Sequence, residues 1–195
     1  MDYWHACASG LRLGQPVLLN MTQAPIPALS HLQHLGGAFT YLEEIHQVLN
    51  ALTLFEGFSA SDHATLCEYM ECYAAPSHTP IVTEGTEGDF VVIILTGGVN
   101  VIKTDAHAAP KVVAHVGPGG FLGEMSLVDG QQRFASCIAT QPTDLAVLTR
   151  DDLTGILDDH PQLGNKILLL LLQLVTKRLR DSTTRMLPTI GAQWV

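Results

Sequence analysis

The chain has 195 residues, 47% of them hydrophobic and 15% charged, with a formal net charge of -9. That is enough apolar material for one full domain with accessory elements, and it excludes a disordered chain. The acidic balance excludes a non-specific nucleic-acid binder, because phosphate-backbone binding needs a basic face.

Cys7, Cys67, Cys72 and Cys137 form no CxxC pair, so free thiols in a reducing cytosol are expected. The N-terminus lacks a basic stretch followed by an apolar one, which argues against a signal peptide. The most apolar run, ILLLLLQLV at residues 167–175, is less than half the roughly 20 residues a membrane span needs. These readings predict a soluble, cytoplasmic protein with no membrane partner.

Residues 1–39 read as an irregular N-terminal arm. Gly10, Gly14, Pro16, Pro25, Pro27, Gly36 and Gly37 interrupt any helix longer than a few turns. Residues 40–161 read as a strand-rich unit with flanking helices. In YLEEIHQVLNAL, Leu42, Ile45, Val48, Leu49 and Leu52 share one stripe, with Thr40 as N-cap and Glu43 as its capping-box partner. After the turn LFEGF, Ser59 or Ser61 can cap a second helix, SDHATLCEYM.

Past Tyr73 the pattern changes. HTPIVTEG, DFVVIIL, VNVIKT, KVVAHV, RFASCIAT and DLAVLT each read as a strand, separated by glycine- and proline-bearing turns. Strands at this spacing predict an α+β fold built on an antiparallel jelly-roll barrel. RDDLTGILDDHP then reads as a short helix halted by Pro161.

A long helix is expected over 162–186, followed by a tail, 187–195. Between Ile167 and Val175 its only polar residue is Gln173, so it is apolar all round and needs burial on more than one side. Pairing with the same helix of a second copy, in a homodimer, meets that need; burial within one subunit is the alternative. Lys177, Arg178, Arg180 and Arg185 read as cations favoured by the dipole at a helix C-terminus.

Between Val112 and Thr149 the only Lys or Arg is Arg133. It follows GGFLGEMSLVDGQQ, in which Gly119 and Gly120 allow a turn, Gly123 a close backbone approach, and EMSLVD a short helix. Amides at the start of such a turn attract an anion, and an arginine can add a bidentate contact to it. Glu124 is poorly placed to face a bare phosphate, but it fits a ligand with a hydroxyl beside its phosphate. The pair therefore points to a sugar phosphate.

The run L-G-E-M-S-L-x(5)-R-x-A-S resembles the phosphate-binding cassette of cyclic nucleotide-binding domains, usually F-G-E-L-A-L-x(5)-R-A-A-T. The resemblance spans roughly residues 50 to 183 and includes LFEGFSASD and IVTEGTEGDFVVIILTGGVNV. It implies that Arg133 pairs with a cyclic phosphate and that Glu124 accepts the ribose 2′-hydroxyl. Backbone groups of Gly123, Glu124 and Met125 would contact sugar and phosphate, with Ser126 in the cassette helix and Phe134 and Ala135 beside the arginine. The long helix is similar to the dimer helix of bacterial catabolite activators, and TKRLRDST lines up with their adenine-contacting segment. That match makes Ser182 and Thr183 candidates for base recognition.

The sequence departs from the pattern twice. A small residue normally follows the arginine, and a hydroxyl there favours guanine; Phe134 has none, so cAMP is expected ahead of cGMP. The stretch after Arg185, MLPTIGAQWV, is too short for a helix-turn-helix, so no DNA reading by such a module is expected. The expectation is a stand-alone, non-catalytic sensor with no cofactor, coupling cyclic nucleotide binding to movement of its C-terminal helix and thereby to a protein effector. A module of the same fold that dimerises or binds a partner without nucleotide is the other reading, and Phe134 is the residue that separates them. No His-x-His pair marks a cupin metal site, and GEMSL is not a nucleophile elbow.

Overall fold

The computed structural model describes residues 25–191, with side chains through residue 184. Residues 1–24 of the arm, Cys7 among them, the side chain of Arg185 and the tail residues 192–195 lie outside the described residues. Among the described residues no helix is long and apolar enough to cross a membrane.

Among the described residues nine antiparallel strands form two sheets: β1 (Gln33–Gly37), β2 (Glu71–Ala75), β3 (Pro80–Val82), β4 (Phe90–Ile94), β5 (Val99–Thr104), β6 (Pro110–Val116), β7 (Phe121–Leu122), β8 (Ser136–Ala139) and β9 (Thr143–Thr149). One sheet runs β1-β2-β9-β4-β7 and the other β3-β8-β5-β6. The jelly roll expected from sequence is present as two facing sheets, and the strands do not close into a barrel. All six strands read from the sequence appear. Three others were not read: β1, β2 and the two-residue β7.

β1 corrects the reading of residues 25–39 as irregular. Gly36 and Gly37 do not end the chain's order; they pair with Cys72 and Glu71, and the register shifts between His34 and Gly36. Gly36 takes φ +104° at this irregularity, a backbone state that glycine adopts without strain. Leu29 and Leu32, just upstream, are buried in the space between the sheets.

Among the described residues five α-helices complete the fold: α1 (Leu42–Asn50), α2 (Ala60–Glu68), α3 (Glu124–Asp129), α4 (Arg150–Asp159) and α5 (Pro161–Gly191). The Thr40–Glu43 capping box does not form. A short 3-10 turn, Ala38–Tyr41, runs straight into α1, and Tyr41 takes the N-cap position without a side-chain bond. Ser59 does cap α2, accepting from Asp62 N at 3.2 Å while Asp62 Oδ2 accepts from Ser59 N at 2.7 Å. Thr149 and Asp152 repeat this box at α4. Pro161 stops α4 and also begins α5, a position where its missing N–H is no loss.

β4 explains why DFVVIIL is apolar throughout rather than alternating. Val91 and Ile93 face the helices, packing in a core with Ile45, Phe55 and Ile167. Phe90, Val92 and Ile94 face the second sheet, with Leu122, Leu145 and Val147. Side chains alternate along a strand, so one covered on both faces must be apolar at every position.

α5 lies on the helical side of this core. Leu163, Ile167, Leu170, Leu171 and Leu174 are buried at helical spacing. Leu168, Leu169, Leu172 and Leu179 form a second stripe that stays exposed. The alternative of complete burial within one subunit is therefore not what the structure shows.

Candidate functional site

The segment between β7 and β8 folds back on itself around a buried guanidinium. Gly123 takes φ +80° and starts α3, and Gly130 takes φ +70° and ends it. The chain then returns past Gln131 and Gln132 to Arg133, which sits in the loop before β8 rather than on the strand. Its backbone is held there by two bonds to the turn after β3. Arg133 N donates to Thr86 O at 2.8 Å, and Arg133 O accepts from Gly85 N at 2.9 Å.

The Arg133 side chain runs inward and is 3% exposed. Its Nη1 donates to Gly123 O at 3.0 Å, and its Cζ lies 4.2 Å from the Phe90 ring centroid. Space for it exists because two neighbours are glycines. A Cβ at Gly88 would fall 1.9 Å from Arg133 Nε, and one at Gly123 would fall 2.2 Å from Nη1. Among the described residues no carboxylate pairs with Arg133, and its Nη2 is buried without a hydrogen-bond partner. Burial draws the guanidinium's pKa down, with the charges of Cys137, Asp89 and Glu124 acting in the other direction.

Glu124, at the start of α3, is fully buried. Arg178 Nε approaches its Oε1 to 2.9 Å, but outside hydrogen-bond geometry, so neither carboxylate oxygen accepts a hydrogen bond. Burial raises the Glu124 pKa; Arg178, its own backbone N–H and Arg133 oppose the rise. Glu124 and Arg133 are not ion-paired with each other; the ion pair of Glu124 is the local one with Arg178. Glu124 and Arg133 instead both line one pocket that opens to solvent.

Gly123, Met125, Ser126, Phe134 and Ala135 line the same pocket, so the structure brings together every cassette residue singled out from sequence. Ser126 and Ala135 are buried, Met125 is partly exposed and Phe134 largely exposed. Cys137 lies in the wall, its thiol pushed up to about 11 by burial. Ser182 and Thr183 are not brought there. Both are exposed on α5, and Thr183 Oγ1 donates to Leu179 O at 2.9 Å. Ser182 lies one helical turn beyond Arg178, on the same side of α5.

Three residues at the site were not read from the sequence. Arg178 was assigned to the dipole at a helix end, but α5 continues to Gly191, which leaves Arg178 in mid-helix where that effect has decayed. It points to the pocket, reaching Glu124 and donating from Nη2 to Phe121 O at 2.6 Å. Its position four residues before Ser182 was the available signal. Lys103, on β5, sits with Nζ 4.4 Å from the Phe134 ring centroid, and only the strand register could have placed it there. Gly88 was one glycine among several in a turn-rich stretch. Among the described residues no group of three or more His, Cys, Asp or Glu side chains could hold a metal ion.

One pocket thus holds a buried guanidinium nitrogen without a hydrogen-bond partner and a buried carboxylate, ion-paired to Arg178, whose oxygens accept no hydrogen bond; such an arrangement can receive an anion and a hydroxyl donor. Known proteins agree in kind. Residues 74–160 match the family model described as "Cyclic nucleotide-binding domain". A crystal structure of a cyclic nucleotide-binding domain from Methylobacillus flagellatus is 51% identical, with a TM-score of 0.75, over 81% of this chain and 89% of that one. The cyclic AMP receptor protein of Thermus thermophilus is 29% identical over 129 residues, 66% of this chain and 58% of that protein. The regulatory domain of Toxoplasma gondii PKA, solved with cAMP, is 28% identical with a TM-score of 0.54, over 60% of this chain and 44% of that one. This chain spans about three fifths of the length of the bacterial receptor proteins it matches. The chain belongs to the cyclic nucleotide-binding domain family.

Proposed function

We propose that this chain is a non-catalytic sensor that binds a cyclic nucleotide, cAMP ahead of cGMP, in the pocket formed by α3 and Arg133. The observation that carries the reading is the pair of buried groups without hydrogen bonds, Arg133 Nη2 and the Glu124 carboxylate, the latter ion-paired to Arg178. Leaving such a group unsatisfied costs about 1–3 kcal/mol, more when it is charged. A cyclic phosphate answers the guanidinium and a ribose hydroxyl answers the carboxylate. Phe134 lacks the hydroxyl that would favour guanine, which supports adenine.

Arg178 supports the second half of the reading. It joins α5 to the carboxylate that the ribose would engage, so occupancy of the pocket bears directly on the long helix. The exposed leucine stripe of α5 supports a homodimer through residues 162–186. We assign the output to a protein effector that senses the helix, and the free, buried thiols of Cys67, Cys72 and Cys137 support a reducing, cytoplasmic setting. The same stripe also favours the second reading, a dimerisation module that binds no nucleotide.

Isothermal titration separates the two. The wild type is expected to bind cAMP more tightly than cGMP, and Arg133→Ala to weaken cAMP by roughly tenfold or more, as loss of a charge-assisted contact implies. No heat with either nucleotide would sink the sensor reading and leave the dimerisation module. Wild-type affinity in Arg133→Ala would remove the assigned site.

A further inference from the structure

Phe134 is 58% exposed, although it stands between buried Arg133 and Ala135 in the wall of the pocket. Single exposed apolar side chains are ordinary on protein surfaces. This one differs in how firmly it is held. The residue before it is fixed by its two backbone bonds to Gly85 and Thr86. Its own carbonyl accepts from Lys103 Nζ at 2.7 Å, and the same ammonium, tied to Glu84 Oε1 at 2.6 Å, rests 4.4 Å from the ring centroid.

Two physical consequences follow. A ring already fixed loses little conformational freedom when something packs on it, so the contact is gained at small entropic cost. A cation against the ring also draws electron density towards itself. The opposite face is left electron-poor and suited to an electron-rich heteroaromatic. The ring and the guanidinium of Arg133 line the same pocket, so a ligand whose anion meets Arg133 can set its base against Phe134.

We propose that Phe134 is the stacking platform for the base of the bound nucleotide and selects purines over pyrimidines. The inference rests on the cyclic nucleotide reading above. A purine offers a larger face to stack than a pyrimidine, whereas a phenyl ring has no hydrogen-bonding group with which to tell adenine from guanine. Phe134 is thus a specificity residue for ring size; between the two purines it acts only by lacking the hydroxyl that would favour guanine.

The test is titration of the full chain with cAMP, cCMP and cUMP, for wild type, Phe134→Ala and Phe134→Tyr. Base–aromatic stacking measured by alanine substitution predicts a loss of roughly 5- to 150-fold in cAMP affinity for Phe134→Ala. The pyrimidine nucleotides should lose less, so the purine preference shrinks, and Phe134→Tyr should restore it. Thermal melting shows whether each variant remains folded. An equal loss for all three ligands, or none for cAMP, overturns the stacking role while leaving nucleotide binding intact. Wild type that binds none of them overturns the binding reading and this inference together.

Discussion

Arg133 can be buried because its surroundings are cut to its shape, and Gly88 is the tightest part of that fit. A methyl group there meets the guanidinium at 1.9 Å, and the guanidinium, held against Phe90 and Gly123 O, has little room to yield. Gly88→Ala is expected to destabilise the fold by about 1–3 kcal/mol, as overpacking does. It should also weaken cyclic nucleotide binding by roughly tenfold, as a misplaced charge-assisted contact implies. Urea denaturation followed by titration of the folded variant measures both, and unchanged affinity would show that the arginine tolerates displacement. At this scale the sequence was informative where a motif fixed spacing, as with Glu124 and Arg133. It was silent on Gly88, because which of several turn glycines touches a side chain is decided by tertiary packing.

Between elements, α2 and α5 are joined by Asp62 and Lys166, whose charged atoms lie 2.7 Å apart. Partial burial pushes the Asp62 carboxyl up, but the Lys166 ammonium and the Ser59 bonds outweigh it and hold the pKa at about 2, below the ordinary 3.8. A depressed carboxyl pKa means that the unfolded chain binds the proton more readily. The stabilisation is therefore complete above about pH 4, declines as pH falls towards 2, and is absent below that. Lys166→Ala is expected to lose about 0.5–1 kcal/mol at neutral pH, the range for a pair with one partly exposed member. That difference from wild type should narrow as pH falls from 4 to 2. Denaturation across pH checks this; a difference constant with pH would mean that Lys166 acts through packing. The α2 cap was legible because Ser59 and Asp62 bond within one turn. The Asp62–Lys166 contact was not, because the partners are far apart in sequence. α1 shows the reverse failure: Thr40 and Glu43 had the right spacing, but the preceding 3-10 turn leaves Tyr41 at the cap.

For the whole molecule, the long helix carries two apolar stripes, one spent on the core and one facing outwards. If the second is the dimer seam, Leu172→Glu should convert a dimer to a monomer in sedimentation velocity. The monomer should keep its secondary structure, since Leu172 is 62% exposed; a wild type that sediments as a monomer would end the dimer proposal. The two-stripe character was readable from ILLLLLQLV, because a helix apolar all round must bury more than one side. The open edges of the two sheets were not, since alternation reports which face is covered and not whether the last strands meet. Arg178 carries one further consequence. It is a residue of α5 whose partner, Glu124, belongs to the pocket. In the proposed sensor, any influence that shifts the helix alters the work of placing a hydroxyl on that carboxylate, and thermodynamic reciprocity would have the nucleotide alter the helix's binding to a partner by the same factor. A partner that clamps α5 and changes nucleotide affinity tenfold would itself be held tenfold differently, a shift of about 1.4 kcal/mol. Such a sensor would have no fixed input and output: signal and receiver would be distinguished by which of them varies in concentration.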